Sequence, residues 1–101
     1  MKDGYIVLTY RFEKLPKRWT ANCEELGTAT FGRSLPEAER KLDEAVWLHL
    51  SALEEVGERE RFFKENGIKL YHAKPKDILV SLPVKEAIFV HPHVQSITAL
   101  A

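Results

Sequence analysis

The stretch Tyr5–Phe12 has the sequence YIVLTYRF, in which every second side chain is large and apolar. Alternation with a period of two is typical of a β-strand that buries one of its faces. We therefore predict that this strand begins a sheet and turns one apolar row toward the core. The residues of that row are Ile6, Leu8, Tyr10 and Phe12.

Two shorter segments with strand character follow at close spacing. Residues 18–23, RWTANC, alternate so that Trp19, Ala21 and Cys23 share one face. Residues 28–31, TATF, form a third segment, which Gly32 ends. Connections this short join antiparallel neighbours, so the sequence predicts a three-stranded meander.

A helix start follows the third strand, at Ser34-Leu35-Pro36-Glu37. The Ser34 hydroxyl is expected to accept the backbone N–H of Glu37, whose carboxylate is expected to accept the N–H of Ser34. Apolar side chains then recur every three or four residues up to a C-terminal cap at Gly57, as in an amphipathic helix. They are Leu35, Ala38, Leu42, Ala45, Val46, Leu53 and Val56, and His49 lies on the same face.

The remainder of the chain predicts a short second helix and further strands. The helix covers 58–65, with Phe62 and Phe63 as apolar anchors. Strand patterns follow at 68–72 and 78–82, and then at 84–91 and 93–98 on either side of Pro92. We therefore expect an α+β fold, a β-β-β-α unit packed as helix on antiparallel sheet. The single domain 1–101 would comprise a core at 5–67 and a β-rich C-terminal extension at 68–101.

Composition limits the classes of function. A length of 101 residues suits one domain, and the single cysteine excludes an intrachain disulfide. Fifteen basic and fifteen acidic side chains balance, which disfavours a protein that relies on excess positive charge to hold nucleic acid. The chain has neither an apolar run of membrane-spanning length nor the apolar region of a signal peptide, so we expect a cytoplasmic protein without membrane contact.

The first half of the chain, about 5–56, carries a recognisable series of motifs. An aromatic and an alanine precede Cys23-Glu24-Glu25-Leu26-Gly27, and the helix start lies within Gly32-Arg33-Ser34-Leu35-Pro36-Glu37-Ala38. Asp43-Glu44-Ala45-Val46 continues the acidic helix. The series resembles the HicB-like antitoxin family, so we expect either an antitoxin or an orphan relative that has no toxin partner.

That resemblance implies a fold similar to a truncated ribonuclease-H-like or double-stranded-RNA-binding-like unit. It also implies a protein that is not an enzyme, uses no cofactor, forms oligomers, and masks the catalytic surface of a small ribonuclease toxin. Many family members add a C-terminal DNA-binding module. Residues 68–101 do not match a helix-turn-helix, so direct DNA binding is not expected here.

Candidate contact residues follow from charge and expected exposure. A basic toxin would be complemented by acidic and exposed aromatic side chains, for which we select Tyr10, Trp19, Glu24 and Glu25. Trp47, Leu48 and Leu50 widen the apolar surface of the long helix, and they predict self-association with a dimer as the default.

Two other functions are considered. Lys14, Lys17 and Arg18 beside Trp19 are compatible with a regulator that binds nucleic acid through phosphates and stacking. His91 and His93 would point the same way on a strand, as two metal ligands of a hydrolase would, with Cys23, His49 or His72 completing the site. For all of these residues we favour ordinary structural roles over the two functions. The acidic residues of the long helix could in principle bind Mg²⁺, but we favour a solvated helix face. They are Glu37, Glu39, Asp43 and Glu44.

Overall fold

The fold is a five-stranded antiparallel sheet with a long helix packed on one face, which confirms the α+β class. The computed structural model describes residues 4–75, 82–85 and 87–97. The strand order across the sheet is β3-β2-β1-β5-β4. In chain order the elements are β1 (Gly4–Leu15), β2 (Arg18–Cys23), β3 (Thr28–Gly32), α1 (Leu35–Glu55), α2 (Arg59–Glu65), β4 (Leu82–Lys85) and β5 (Ile88–Ile97).

Strand β1 lies in the centre of the sheet, and its alternating pattern is confirmed. Its even-numbered residues from 4 to 12 are buried, whereas the odd-numbered residues between them are half-buried. Tyr10 lies opposite Cys23 on β2 and opposite His91 on β5. The even-numbered face therefore forms the floor of the core. The helix side chains that close the core from above are Ala38, Leu42, Val46 and Leu50.

Helix α1 begins as predicted, with one difference in its cap. The Ser34 hydroxyl accepts the backbone N–H of Glu37 at 3.3 Å. The Glu37 carboxylate accepts the N–H of Arg33 at 3.2 Å, whereas we expected the N–H of Ser34. The reciprocal cap is thus displaced by one residue, and it still satisfies backbone donors that the helix leaves unpaired. At the other end Gly57 has φ of 72°, the left-handed geometry that suits a residue directly after a helix.

The C-terminal segment adds strands to the same sheet, and one prediction about it is wrong. We expected Pro92 to divide two strands, but β5 continues through it. Pro92 lies opposite Thr9, whose N–H and C=O both point toward β2, where they bind Glu25 and Glu24. Thr9 and Pro92 thus form a non-hydrogen-bonded antiparallel pair, in which the backbone groups of both residues point away from the partner strand. The N–H that proline lacks is therefore not needed between β1 and β5.

The predicted strand at 68–72 is also wrong. The described structure there is one antiparallel bridge, in which Tyr71 and Tyr5 exchange backbone hydrogen bonds at 2.7 and 2.8 Å. Tyr5 lies beyond the part of β1 that β2 covers, so Tyr71 occupies a short length of exposed strand edge. Most of the predicted 78–82 strand lies outside the described residues. Leu82 begins β4.

Helix α2 packs against the core and the end of α1 through two apolar side chains and one charged side chain. Phe63 is buried in the core and Phe62 is partly buried against it, so both predicted anchors are confirmed. Arg59 is also buried and lies 3.0 Å from the Glu54 carboxylate on α1. The ion pair thus joins the two helices. No helix in the described part of the chain has the length and apolar character needed to cross a membrane.

A candidate protein-binding groove between helix and sheet

A groove runs along the helix-covered face of the sheet, between α1 and β5. Register with β1 turns five β5 side chains toward that face, and the last of them, Ile97, is buried. Helix α1 packs most closely against β2 and β3, so it leaves the other four side chains only half-buried. The helix lies off the centre of the sheet, and the groove is the strip that it leaves uncovered. Its floor on β5 consists of Phe89, His91, His93 and Gln95.

The helix supplies the opposite wall of the groove with every fourth residue. Side chains spaced by four lie one above the other on a helix face. Its first four members place two acidic groups between two apolar ones. The row consists of Leu35, Glu39, Asp43, Trp47 and Ser51.

The end of the groove near the start of α1 is a cleft of about 210 Å³. Its aromatic side extends through Phe89 to Trp19, whose ring centroid lies 6.2 Å away. The cleft therefore combines an apolar surface with a carboxylate and an imidazole. Its lining residues are Phe12, Leu35, Glu39, Phe89 and His91.

A polar network occupies the middle of the groove. The buried Tyr10 hydroxyl donates to Asp43 Oδ1 at 2.9 Å. The His93 ring stacks on the Tyr10 ring with centroids 4.3 Å apart, and its Nε2 lies 3.0 Å from Gln95 Oε1. The same Nε2 is 3.8 Å from Asp43 Oδ1. These contacts hold Asp43 in one orientation while 47% of its side chain stays exposed.

The network orients a carboxylate and is poorly suited to acid–base chemistry. Burial, followed by the hydrogen bond to Asp43, raises the pKa of Tyr10 far above its ordinary value. The phenol therefore stays protonated and acts as a donor. An oriented, half-exposed carboxylate is suited to receive a cation from outside the protein.

The far end of the groove opens onto an exposed apolar pair on α1. Trp47 is 52% exposed and Leu48 is 61% exposed. Asp43 and Glu44 border them. Among the described residues that line the groove and this pair, the one permanent cation is Arg59, which is buried beside Glu54. The surface is therefore both apolar and acidic.

The four residues selected as partner contacts have different environments. Tyr10 is fully buried, so its expected exposure is wrong. Tyr10 belongs to the row of β1 side chains that faces the core, and the whole row is buried even though the tyrosine ends in a polar hydroxyl. Trp19 is half-buried against the core, and Glu24 is exposed. Glu25 is half-buried, because its carboxylate accepts the N–H and hydroxyl of Thr9, both at 2.7 Å.

The predicted self-association surface is present in part. Trp47 and Leu48 are exposed as that prediction requires, but Leu50 is buried and is not available for a second copy. Leu50 lies four residues after Val46, on the core-facing row of the helix.

The two histidines of the hydrolase hypothesis do share a face, on the floor of the groove. Their proposed additional ligands lie elsewhere: Cys23 is buried on β2, and His49 lies near Thr28 and Phe62 on the other flank of α1. Within residues 4–75, 82–85 and 87–97 there is no group of three or more side chains that could hold a metal ion. Burial also raises the pKa of the Cys23 thiol to about 11, as suits a structural cysteine.

Comparison of the chain with protein-family models, curated proteins and solved structures found no match. The interpretation of the groove therefore depends on its own geometry and charge. The sequence interpretation assigned Glu39 and Asp43 to a solvated helix face and did not predict that they line a groove. Their spacing of four from Leu35 and Trp47 was the available signal.

Replacing Tyr10 by phenylalanine tests the network. We expect the free energy of unfolding at neutral pH to fall by about 1 kcal/mol, because the variant lacks the hydroxyl that donates to Asp43. An unfolded tyrosine ionises near pH ~10. Since its folded pKa is higher, the unfolded state loses its proton first, and stability falls as pH rises above that value. In urea unfolding measured across pH 8–11.5, Tyr10→Phe should flatten this alkaline decline. An unchanged pH slope would contradict the assignment.

Proposed function

We propose that this chain is a non-catalytic binding protein of the HicB-like antitoxin type, which covers the active surface of a small basic ribonuclease. The observation that carries the proposal is the acidic and apolar groove between α1 and β5. Glu39 and the oriented Asp43 offer negative charge, and Trp47 offers an exposed aromatic anchor. Interfaces commonly combine a desolvated aromatic anchor with complementary charge.

The proposed mechanism is steric and electrostatic cover. A ribonuclease must attract the phosphates of RNA, so its working surface is basic. An acidic groove competes with RNA for that surface, and the apolar residues of the groove slow dissociation once contact is made. The motif series in the first half of the chain supports the same assignment. The role is proposed for the cytoplasm, where the one cysteine would stay reduced.

The test begins with purification from the native host through a tag at the N-terminus. We expect one small basic protein in stoichiometric amount, whose ribonuclease activity returns when the two are separated. Glu39→Lys and Trp47→Ala should each weaken inhibition of that activity at least tenfold, because each removes a groove contact. Glu60→Lys makes the same change of charge on an exposed position of α2 and should leave inhibition unchanged.

If the wild type and all three variants inhibit the ribonuclease equally, the groove is not the contact surface. Recovery of the chain without any protein partner would contradict the antitoxin role itself.

Self-association remains a proposal, with a dimer as its default form. Trp47 and Leu48 are its exposed contacts, and they border the groove. A dimer formed there would compete with the ribonuclease, so sedimentation of the free protein and of the complex should show a dimer only in the former.

A further inference from the structure

An exposed aromatic ring lies beside two cations at the β3 edge of the sheet, which the strands β2 and β1 separate from the groove on β5. Phe31 is 54% exposed. The Arg18 guanidinium carbon lies 5.1 Å from its ring centroid, and Lys41 Nζ lies 5.6 Å from it. Both distances are within the range of cation–π attraction. The ring is thus held in place by charge and still open to solvent over half its surface.

Three separate elements bring this cluster together. Arg18 begins β2, Phe31 lies on β3, and Lys41 is in the second turn of α1. Antiparallel register pairs Phe31 with Thr20, which brings the β2 start beside the ring. The sequence cluster Lys14-Leu15-Pro16-Lys17-Arg18 therefore divides in the structure: Arg18 joins Phe31, whereas its neighbour Trp19 packs against the core.

Two cations contact the ring, and both are charged at neutral pH. Lys17 and Arg33 are exposed and lie one and two residues from Arg18 and Phe31 along the chain. One carboxylate is close to the cluster, that of Glu37 at 3.5 Å from Lys41 Nζ. The cations therefore outnumber this carboxylate, on a chain whose overall charge is zero.

We propose that Arg18, Phe31 and Lys41 form a binding site for single-stranded nucleic acid. A base would stack on the exposed face of Phe31, and the cations would contact the flanking phosphates. Base–aromatic stacking requires an unstacked base, which a single strand supplies and a duplex does not. The site shares no residue with the groove, so it stands independently of the proposed ribonuclease partner.

Two features distinguish this cluster from an ordinary surface phenylalanine. First, the two cations come from different elements, so the arrangement depends on the fold and not on neighbouring positions in one helix. Second, Trp47, the other exposed large aromatic discussed above, is bordered by Asp43 and Glu44. The chain therefore presents one aromatic among acids, on α1, and another among cations, on the edge strand β3.

The test measures fluorescence anisotropy of a labelled 12-nucleotide oligouridine with the full chain at 50 mM salt. We expect saturable binding that weakens with salt, and Phe31→Leu should weaken it about tenfold through loss of stacking. Arg18→Gln and Lys41→Gln should each reduce the slope of log affinity against log salt by about 0.7. Lys69→Gln is the matched control, since Lys69 lies 5.2 Å from the Tyr71 ring and outside this site.

Thermal melting of each variant checks that it is folded. The proposal is overturned if the wild-type chain gives no saturable binding. It is also overturned if Phe31→Leu binds like the wild type, if a 12-base-pair RNA duplex binds as tightly as the single strand, or if Lys69→Gln weakens binding as much as Arg18→Gln.

Discussion

Gly32→Ala is expected to destabilise the fold by about 3 kcal/mol, at the upper end of the effects of overpacking. A Cβ at Gly32 would lie 2.6 Å from the backbone nitrogen of Ala38 and 3.0 Å from its Cα. These are backbone atoms in the first turn of α1, so no side-chain rotation can relieve the contact. The helix would have to move away from β3, and the adjacent core would open.

Gly27→Ala is the matched control for this substitution. Gly27 has φ of 68°, and no atom lies within 4 Å of an added Cβ. Its replacement should cost roughly 1 kcal/mol, the strain of a left-handed alanine. Urea unfolding of both variants measures the difference. If both variants lose the same free energy of unfolding, β3 and α1 are not packed closely enough at Gly32 to exclude a methyl group.

Arg59→Ala is expected to destabilise the fold by about 3 kcal/mol, because it leaves a buried carboxylate without its counter-ion. The side chain of Arg59 is 5% exposed and that of Glu54 is 15% exposed, with 3.0 Å between Nη1 and Oε2. Glu54 Oε2 is buried and accepts no well-aligned hydrogen bond from the described residues, so the charge of Arg59 is its main compensation. The guanidinium also lies 5.9 Å from the Phe63 ring, which ties α2 to the core.

Two further variants isolate the contribution of burial. Arg61 forms a similar pair with Glu65 at 3.0 Å, but its side chain is 71% exposed, so Arg61→Ala should change stability little. The double variant Arg59→Met, Glu54→Gln should recover much of the loss, because it removes both charges and keeps the volume. If Arg59→Ala lowers the unfolding midpoint no more than Arg61→Ala does, the buried pair is not important for stability.

The parts of the fold that were predicted correctly depend on short-range rules. The alternation in β1 and the Ser34 cap each involve neighbours within four residues. Gly57 in the left-handed region is equally local. Rules of this kind predict where elements begin and which face they bury, because backbone geometry and apolar periodicity act along the chain.

The candidate site could be predicted only in part, because exposure depends on what packs above a residue. Trp47 and Leu50 lie three residues apart on an apolar helix surface, yet one is exposed and the other is in the core. Their difference is decided by where α1 lies on the sheet. Tyr10 was chosen for its polar tip, but its row faces the helix and its hydroxyl is satisfied by Asp43.

The amino-acid sequence alone was enough to determine an α+β chain with a central alternating strand and a capped amphipathic helix, since those features follow from local periodicity. Tertiary structure alone decided that β5 runs through Pro92 and that Arg59 is buried. It also brought Arg18 and Lys41 to Phe31. Each of these outcomes depends on register and packing between distant segments, and no pattern within a single segment contains that information.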